Sequence, residues 1–325
     1  MVTKHPKPKS ILVNTDMFFM FYIYLFDLKF NRCYNRFKSF KYKRKIFMKI
    51  KISIDSACDI PQELKIKYNI STMPYYVMLG DRECVDGVNV TAEDLFDYVK
   101  QTGNLPKTAA ISAAKFAEYF QELLKDCDEV IHFSLSSKMT SSCLNAMAGA
   151  EGLKVHVIDS KSLSSGIALL VIKCAQMVED GKLNASEIVE KIKDMTSRVQ
   201  ASFLVDTLTY LHKGGRCSAV ALVGSKLLKI KPKIIVKDGK MEVAKKYMGN
   251  INNCLIKYVE DTLNGNKPEK TVAFCTHSSK MDISSQICQK LREFGFSEVY
   301  DVDASSTISS HCGPGTLGIL FMNEE

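Results

Sequence analysis

Small hydroxyl side chains cluster where apolar segments of this sequence end. Ser136 and Ser137 follow the apolar run from Val130 to Leu135, and Thr108 lies in a polar loop ahead of a helical segment. In open α/β sheets, ligands bind beyond the carboxyl ends of the strands, where hydroxyl and backbone N–H groups can donate hydrogen bonds to a small anion. The pattern predicts a site for one small, weakly charged headgroup. The alternative is that these residues only cap the following helix.

Three basic side chains in the second half of the chain could face such a headgroup. Arg216 follows Gly214 and Gly215, and a guanidinium is the natural bidentate partner of a carboxylate or phosphate. The alternative for this segment is a glycine turn that ends a helix and leaves Arg216 at the surface. His277 ends a predicted strand, and His311 is expected in a loop before the last strand. A histidine titrates near neutral pH, so either imidazole could bind an anion or have a structural role.

Motifs for several other reactions are absent from the sequence. No GxGxxG follows a predicted strand, and there is no GxxxxGK[ST], GxSxG or HExxH segment. The 11 cysteines include no CxxC pair, and their spacing matches no zinc ligand set, so we expect no metal and a reducing, cytoplasmic location. A hydrolase or acyltransferase that uses Ser137 as its nucleophile stays open as an alternative, although the sharp turn that exposes such a serine is missing.

Strands that alternate with helices would position these residues. Such alternation predicts a mainly parallel sheet with helices on both faces for residues 48–180. Residues 163–180 are apolar nearly all round, which indicates a buried helix that ends at Gly181. Residues 181–325 are predicted to form a second α/β unit with a mixed or antiparallel sheet, which includes a hairpin with a two-residue turn at Asp238 and Gly239. The predicted strands of the first unit are residues 49–56, 72–79, 130–135 and 154–160.

Residues 1–47 differ in composition from the rest of the chain. They contain 11 Lys or Arg and 2 Asp or Glu, so they carry +9, whereas the remainder carries −1. We therefore expect no nucleic-acid partner. The apolar run from Met17 to Phe26 is shorter than the roughly 20 residues that a transmembrane helix needs, so no transmembrane segment is expected. We interpret residues 1–47 as an unstructured extension or a mis-assigned start before Met48; a basic, aromatic membrane-surface anchor is the alternative.

Seven segments in order resemble the DegV family. DSACDIP at 55–61, KTAAIS at 107–112 and SLSSKMTSS at 134–142 are similar to the family patterns DSTxDLP, KTSQPS and SLSSxLSGT. VIDSKSLSSG, LHKGGRCS, LLKIKPKI and HCGPGTLG follow in the family order, so the resemblance covers Met48 to the C-terminus. The sequence departs from the pattern in KTAAIS, which lacks the Ser, Gln and Pro after Thr108, and in MGNIN at 248–252, where the family carries a basic segment.

The resemblance implies a two-domain α/β protein that binds a long-chain fatty acid in a cleft and tunnel between its domains. It further implies a lipid-binding protein without catalysis of its own, which serves as the fatty-acid-binding subunit of a bacterial fatty acid kinase. A separate ATP-dependent kinase subunit would be its partner, and the bound fatty acid would be its ligand, without a cofactor. By resemblance, the residues at the carboxylate are Thr108, Ser136, Ser137, His277 and His311, and Arg216 contacts phosphate or the partner.

Overall fold

The computed structural model describes residues 48–217 and 230–325. Residues 1–47, which we interpret as an extension or a mis-assigned start, lie outside this range. The first three residues of LLKIKPKI also lie outside it. The helices are α1 (Gln62–Lys67), α2 (Ala92–Thr102), α3 (Ala113–Leu123), α4 (Ser142–Gly149), α5 (Ser165–Asp180), α6 (Ala185–Met195), α7 (Thr209–Gly214), α8 (Ile251–Asn264), α9 (Ile283–Phe294) and α10 (Ser306–Cys312). The strands are β1 (Ile50–Asp55), β2 (Ser71–Met73), β3 (Tyr76–Leu79), β4 (Arg82–Val85), β5 (Lys107–Ala109), β6 (Glu129–Ser134), β7 (Val155–Asp159), β8 (Val199–Leu204), β9 (Ile230–Lys237), β10 (Lys240–Met248), β11 (Pro268–His277), β12 (Glu298–Asp303) and β13 (Leu317–Asn323).

A four-stranded parallel sheet is built from the first half of the described chain. Its strand order is β2-β1-β6-β7, and every pair is parallel. Phe133 of β6 pairs with Ile54 of β1 and with Ile158 of β7, and all three side chains are fully buried. Apolar strands of this kind are expected in a parallel sheet that helices cover. The parallel sheet predicted from the alternation of strands and helices is confirmed.

A six-stranded mixed sheet is built from the second half. Its order is β10-β9-β8-β13-β11-β12, and only the pair β11 and β12 is parallel. Asp238 and Gly239 join β9 to β10 with φ angles of 48° and 80°. Two positive φ angles are what a tight two-residue hairpin turn requires. The predicted mixed sheet and its hairpin are both confirmed.

Helix α5 packs between the two larger sheets. It contacts β1 and β6 of the parallel sheet and β8, β11 and β13 of the mixed sheet. The side chains from Ser165 to Ile172 are all buried, which accounts for the apolar sequence that predicted a buried helix. Gly181 ends α5 in the left-handed conformation, with φ 63°, as the sequence predicts. In the part of the chain that the structure describes, no helix is long and apolar enough to cross a membrane.

The sequence does not predict the third sheet, a small antiparallel one with the order β4-β3-β5. Residues 72–79, expected as a single extended segment, divide at Pro74 into β2 and β3, which belong to different sheets. Proline has no N–H group to donate to a strand partner, so the pairing is interrupted there. Thr108, expected in a loop, lies on β5 and pairs with Val77 of β3.

Two further predictions of local structure are wrong. The segment after β6 does not begin a helix at Ser136: a turn follows, in which the N–H groups of Met139 and Thr140 donate to the Ser136 carbonyl, and α4 begins at Ser142. His311 lies in the last turn of α10 and not in a loop. Ser305 caps this short helix by accepting a hydrogen bond from Ile308 N–H. The helix was not predicted because its sequence is rich in serine and has few apolar residues.

Candidate ligand site

Thr108 and His311 meet where the small sheet contacts helix α10. The hydroxyl Oγ1 of Thr108 lies 2.9 Å from Nε2 of His311. Helix α7 approaches the other edge of the imidazole, since a Cβ atom added at Gly214 would lie 2.7 Å from its Nδ1. The absence of a side chain at Gly214 therefore lets the backbone of α7 pack directly against the ring.

The imidazole of His311 is held in its neutral form at neutral pH. Burial, and to a smaller extent the positive charge of Arg216, lower the pKa of His311 to about 4. A neutral imidazole has one N–H donor and one acceptor nitrogen. Within the described residues, Nδ1 is buried without a hydrogen-bond partner, so the ring has unused hydrogen-bonding capacity.

Thr108, Arg216 and His311 line one cavity of about 660 Å³. The guanidinium of Arg216 donates from Nη1 to the carbonyl of Gly214 at 2.6 Å and is otherwise exposed. Arg216 is positioned by Gly215, which ends α7 with φ 69°. The structure thus brings together a hydroxyl, an imidazole and a guanidinium, and this set can bind a carboxylate or a phosphate. Met78, Tyr98, Leu105, Pro106 and Tyr210 add apolar and aromatic surface to the cavity.

Ser136 and Ser137 lie at the rim of the parallel sheet and contact neighbouring loops. The Ser136 hydroxyl is buried and donates to the Gly239 carbonyl at 2.8 Å, which connects the rim to the β9–β10 hairpin. The Ser137 hydroxyl donates to Oδ2 of Asp159 at 2.5 Å. Neither serine is among the described residues that line the cavity of Thr108. Ser137 donates to a carboxylate and not to a histidine, so the described residues do not give it the histidine base of the usual serine hydrolase.

His277 lies beside two carboxylates of β12. Its Nε2 is 3.1 Å from Oδ1 of Asp301, and its Nδ1 is 3.3 Å from Oδ1 of Asp303. It lines a different and larger cavity, of about 1730 Å³. His277 is therefore not among the described residues that line the cavity of Thr108, Arg216 and His311.

Two buried carboxyl groups that the sequence analysis did not single out position His311. Oδ1 of Asp59 accepts a hydrogen bond from Ser305 N–H at 2.9 Å, and Oδ1 of Asp86 accepts one from Ser306 N–H, also at 2.9 Å. Burial raises the pKa of Asp59 to about 7 and raises that of Asp86 as well. Both carboxyls hold the start of α10, the helix that carries His311. The sequence signal that could have indicated Asp59 was its position within the DSACDIP segment.

These features define an α/β protein in which a parallel and a mixed sheet enclose a buried helix and a cavity combines a hydroxyl, an imidazole and a guanidinium. A family model described as uncharacterised protein, DegV family, matches residues 49–324. The chain therefore belongs to the DegV family.

Solved structures and curated proteins support the same assignment. A fatty-acid-binding DegV family protein from Thermus thermophilus superimposes with a TM-score of 0.77 and 25% identity, over 85% of this chain and 100% of that one. A DegV lipid-binding protein from Thermotoga maritima gives 0.75 and 26%, over 86% and 99%. Among curated proteins, a DegV domain-containing protein of Caldanaerobacter subterraneus is 29% identical, over 84% of this chain and 98% of that protein. Protein DegV of Bacillus subtilis is 28% identical, over 84% and 99%.

Proposed function

We propose that this chain is a cytoplasmic protein that binds a long-chain fatty acid and presents its carboxylate to a separate ATP-dependent kinase subunit. The observation that carries the proposal is the convergence of Thr108, Arg216 and His311 on one cavity. The structures from Thermus thermophilus and Thermotoga maritima, described as fatty-acid-binding and lipid-binding, support the ligand class. The kinase partner comes from the resemblance of the ordered motifs and is the further step of the proposal.

The acyl chain and the carboxylate of a fatty acid bind through different interactions. Each CH₂ group removed from water contributes about 0.8 kcal/mol, so burial of the acyl chain dominates the affinity. A single carboxylate needs only a few donors, which fix the orientation of the ligand. The apolar helix α5, between the two sheets, is a candidate wall for the chain, and the cavity of Thr108 is the candidate site for the carboxylate.

The residues of the cavity have distinct parts in this proposal. Thr108 and the neutral imidazole of His311 hydrogen-bond the carboxylate, and the charge of Arg216 favours its ionised form. In the transfer step, a carboxylate oxygen attacks the γ-phosphorus of ATP on the kinase subunit, a new C–O–P linkage forms and ADP leaves. Arg216 would then contact the transferred phosphate or the partner. Ser136, Ser137 and His277 stay predicted carboxylate ligands, although none of the three is among the described residues that line the cavity of Thr108.

Native mass spectrometry of the full chain purified from a bacterial host tests the ligand. We expect a co-purifying mass of a C14 to C18 fatty acid, and protein that is repeatedly empty and does not take up added fatty acid would contradict the proposal. Hydroxylamine trapping then tests the transfer: acyl phosphate should form only when a fatty acid kinase subunit and ATP are both added. Turnover of an acyl ester by the chain alone, lost in Ser137→Ala, would instead support the hydrolase alternative.

A further inference from the structure

Strands β11 and β12 carry four polar side chains on one face of the mixed sheet. The strands are parallel neighbours, in which Cys275 pairs with Asp301 and His277 pairs with Asp303. Residues paired across parallel strands, and residues two apart along one strand, point to the same face. Helix α9 packs on both strands. Its Cys288 is therefore directed at the face that holds Cys275 and Asp301.

Two of these side chains, Cys275 and Asp301, converge with Cys288 on one point. One ligand atom each of Cys275, Cys288 and Asp301 lies within 4.8 Å of the other two. A tetrahedral Zn²⁺ ion, with Zn–S bonds of about 2.3 Å and Zn–O bonds of about 2.1 Å, holds such atoms roughly 3.5 to 3.8 Å apart. Small rotations of the three side chains would therefore close the set around an ion, without a change in the backbone.

The carboxylate of Asp301 is already oriented by its neighbours. Ser284, one turn before Cys288 on α9, donates to Oδ2 at 2.8 Å, and Nε2 of His277 lies 3.1 Å from Oδ1. Contacts of this kind fix the orientation of metal-binding carboxylates and raise their affinity for the ion. The same neighbours limit the side-chain rotations that Asp301 can make.

A cation can reach this point from the large cavity. Asp301, Ser284 and His277 all line the cavity of about 1730 Å³. Besides Asp59 and Asp86, whose pKa values are raised by burial, its described lining residues include five carboxylates and two lysines, and this excess of negative charge concentrates cations. The five carboxylates are those of Glu93, Asp97, Asp282, Asp301 and Asp303.

Both thiols must lose their protons to bind the ion. The thiolate is the form that binds a metal ion. The two thiol protons are therefore released to solvent when the ion takes its place between the sulfurs of Cys275 and Cys288.

We propose that Cys275, Cys288 and Asp301 form a binding site for one thiophilic divalent cation of the Zn²⁺ type, with a water molecule from the large cavity as the fourth ligand. The site joins α9 to β11 and β12, and its three ligands are not among the described residues that line the cavity of Thr108. No spacing rule in the sequence could find it, because its three ligands come from three different elements.

Cobalt(II) titration of the reduced full-length protein tests the site, because thiolate ligands give Co²⁺ an intense sulfur-to-metal absorption band. We expect this band to saturate at one Co²⁺ per chain and to disappear when Zn²⁺ is added. Cys288→Ser should abolish it, and Ser284→Ala should lower the affinity about tenfold through the loss of Asp301 orientation. Cys254→Ser is the matched control, since Cys254 is also a buried cysteine of the second half but lies outside the cluster.

Two results would overturn the proposal. One is the absence of the sulfur-to-cobalt band in the wild-type chain. The other is an unchanged band and affinity in Cys288→Ser, which would mean that the ion binds elsewhere. If Cys288→Ser does not fold, alkylation of the wild-type chain decides the question: Zn²⁺ should slow the modification of Cys275 and Cys288 but not that of Cys254, and equal rates with and without Zn²⁺ would reject the site.

Discussion

Thr108 Oγ1 lies 2.9 Å from His311 Nε2, although 203 positions separate the two residues in the chain. Thr108 is held by the small sheet and His311 by α10, and the two elements are in contact. The proposed carboxylate site therefore exists only when α10 packs against β5. Substitutions that change this packing should alter ligand binding even when they do not touch the ligand.

Removal of the Thr108 hydroxyl should weaken fatty-acid binding. Thr108→Val keeps the shape of the side chain but removes a hydrogen bond, which contributes about 1 to 1.5 kcal/mol. We expect a loss of about fivefold to tenfold in affinity, measured by displacement of a fluorescent fatty acid. Thr108→Ser should keep most of the affinity, and Thr102→Val, at an exposed position of α2, should keep all of it. Equal affinities in Thr108→Val and wild type would remove Thr108 from the site.

A side chain at position 214 should displace the imidazole of His311. The new methyl group in Gly214→Ala would lie 2.7 Å from Nδ1, so the ring must move. Because burial is the main reason that the pKa of His311 is lowered to about 4, a displaced and more exposed ring should titrate closer to its usual value of about 6.5. NMR titration of the ring protons measures this shift, and the fatty-acid affinity should fall with it. In Thr209→Ala, at the exposed start of α7, the titration should match that of the wild type.

Asp59 should make the protein less stable as the pH rises. Its pKa in the folded state is about 7, whereas an unfolded aspartate has a pKa of about 3.9. Between these values the folded state binds a proton that the unfolded state has lost, so the free energy of unfolding falls as the pH rises from about 4 to about 7. Asp59→Asn resembles the protonated carboxyl and can still accept from Ser305 N–H.

Urea denaturation at several pH values checks this linkage. The free energy of unfolding of the wild type should decline between pH 5 and pH 8 relative to that of Asp59→Asn. The difference between the two curves isolates Asp59 from other titrating groups, including His311. His311 acts in the opposite direction, since its lowered pKa makes stability fall as the pH drops below about 6.5. Parallel curves for the two proteins would show that Asp59 is ionised in the folded state.

Local sequence patterns predicted the helices, strands and turns more successfully than they predicted the contacts between these elements. The apolar strands of the parallel sheet, the buried helix α5 and the turn at Asp238 and Gly239 all follow from side-chain periodicity or backbone preference within a few residues. The contact of Asp59 with Ser305 spans 246 positions, so no local pattern indicates it. The cluster of Cys275, Cys288 and Asp301 was missed for the same reason.

The structure also shows a contact that the hairpin prediction could not include, between Gly239 and Ser136. Gly239 has φ 80°, and an added Cβ would lie 2.5 Å from the Ser136 hydroxyl oxygen. Gly239→Ala must therefore strain the backbone and also move the Ser136 hydroxyl, which donates a hydrogen bond to the Gly239 carbonyl. Gly152→Ala is the matched control, because Gly152 has φ 75° and no atom of the described residues lies within 4 Å of the added Cβ. We expect the control to lose about 1 kcal/mol of unfolding free energy from backbone strain.

Gly239→Ala should lose about 1 to 3 kcal/mol more than the control, since overpacking adds to the strain. Urea denaturation measures this difference, and an equal loss in the two variants would show that Ser136 moves without cost. The fatty-acid affinity of Gly239→Ala then decides between two roles for Ser136. A loss of affinity beyond that of Gly152→Ala would support Ser136 as a carboxylate ligand. Unchanged affinity in a destabilised protein would mean that its hydroxyl serves only to hold the hairpin against the rim of the parallel sheet.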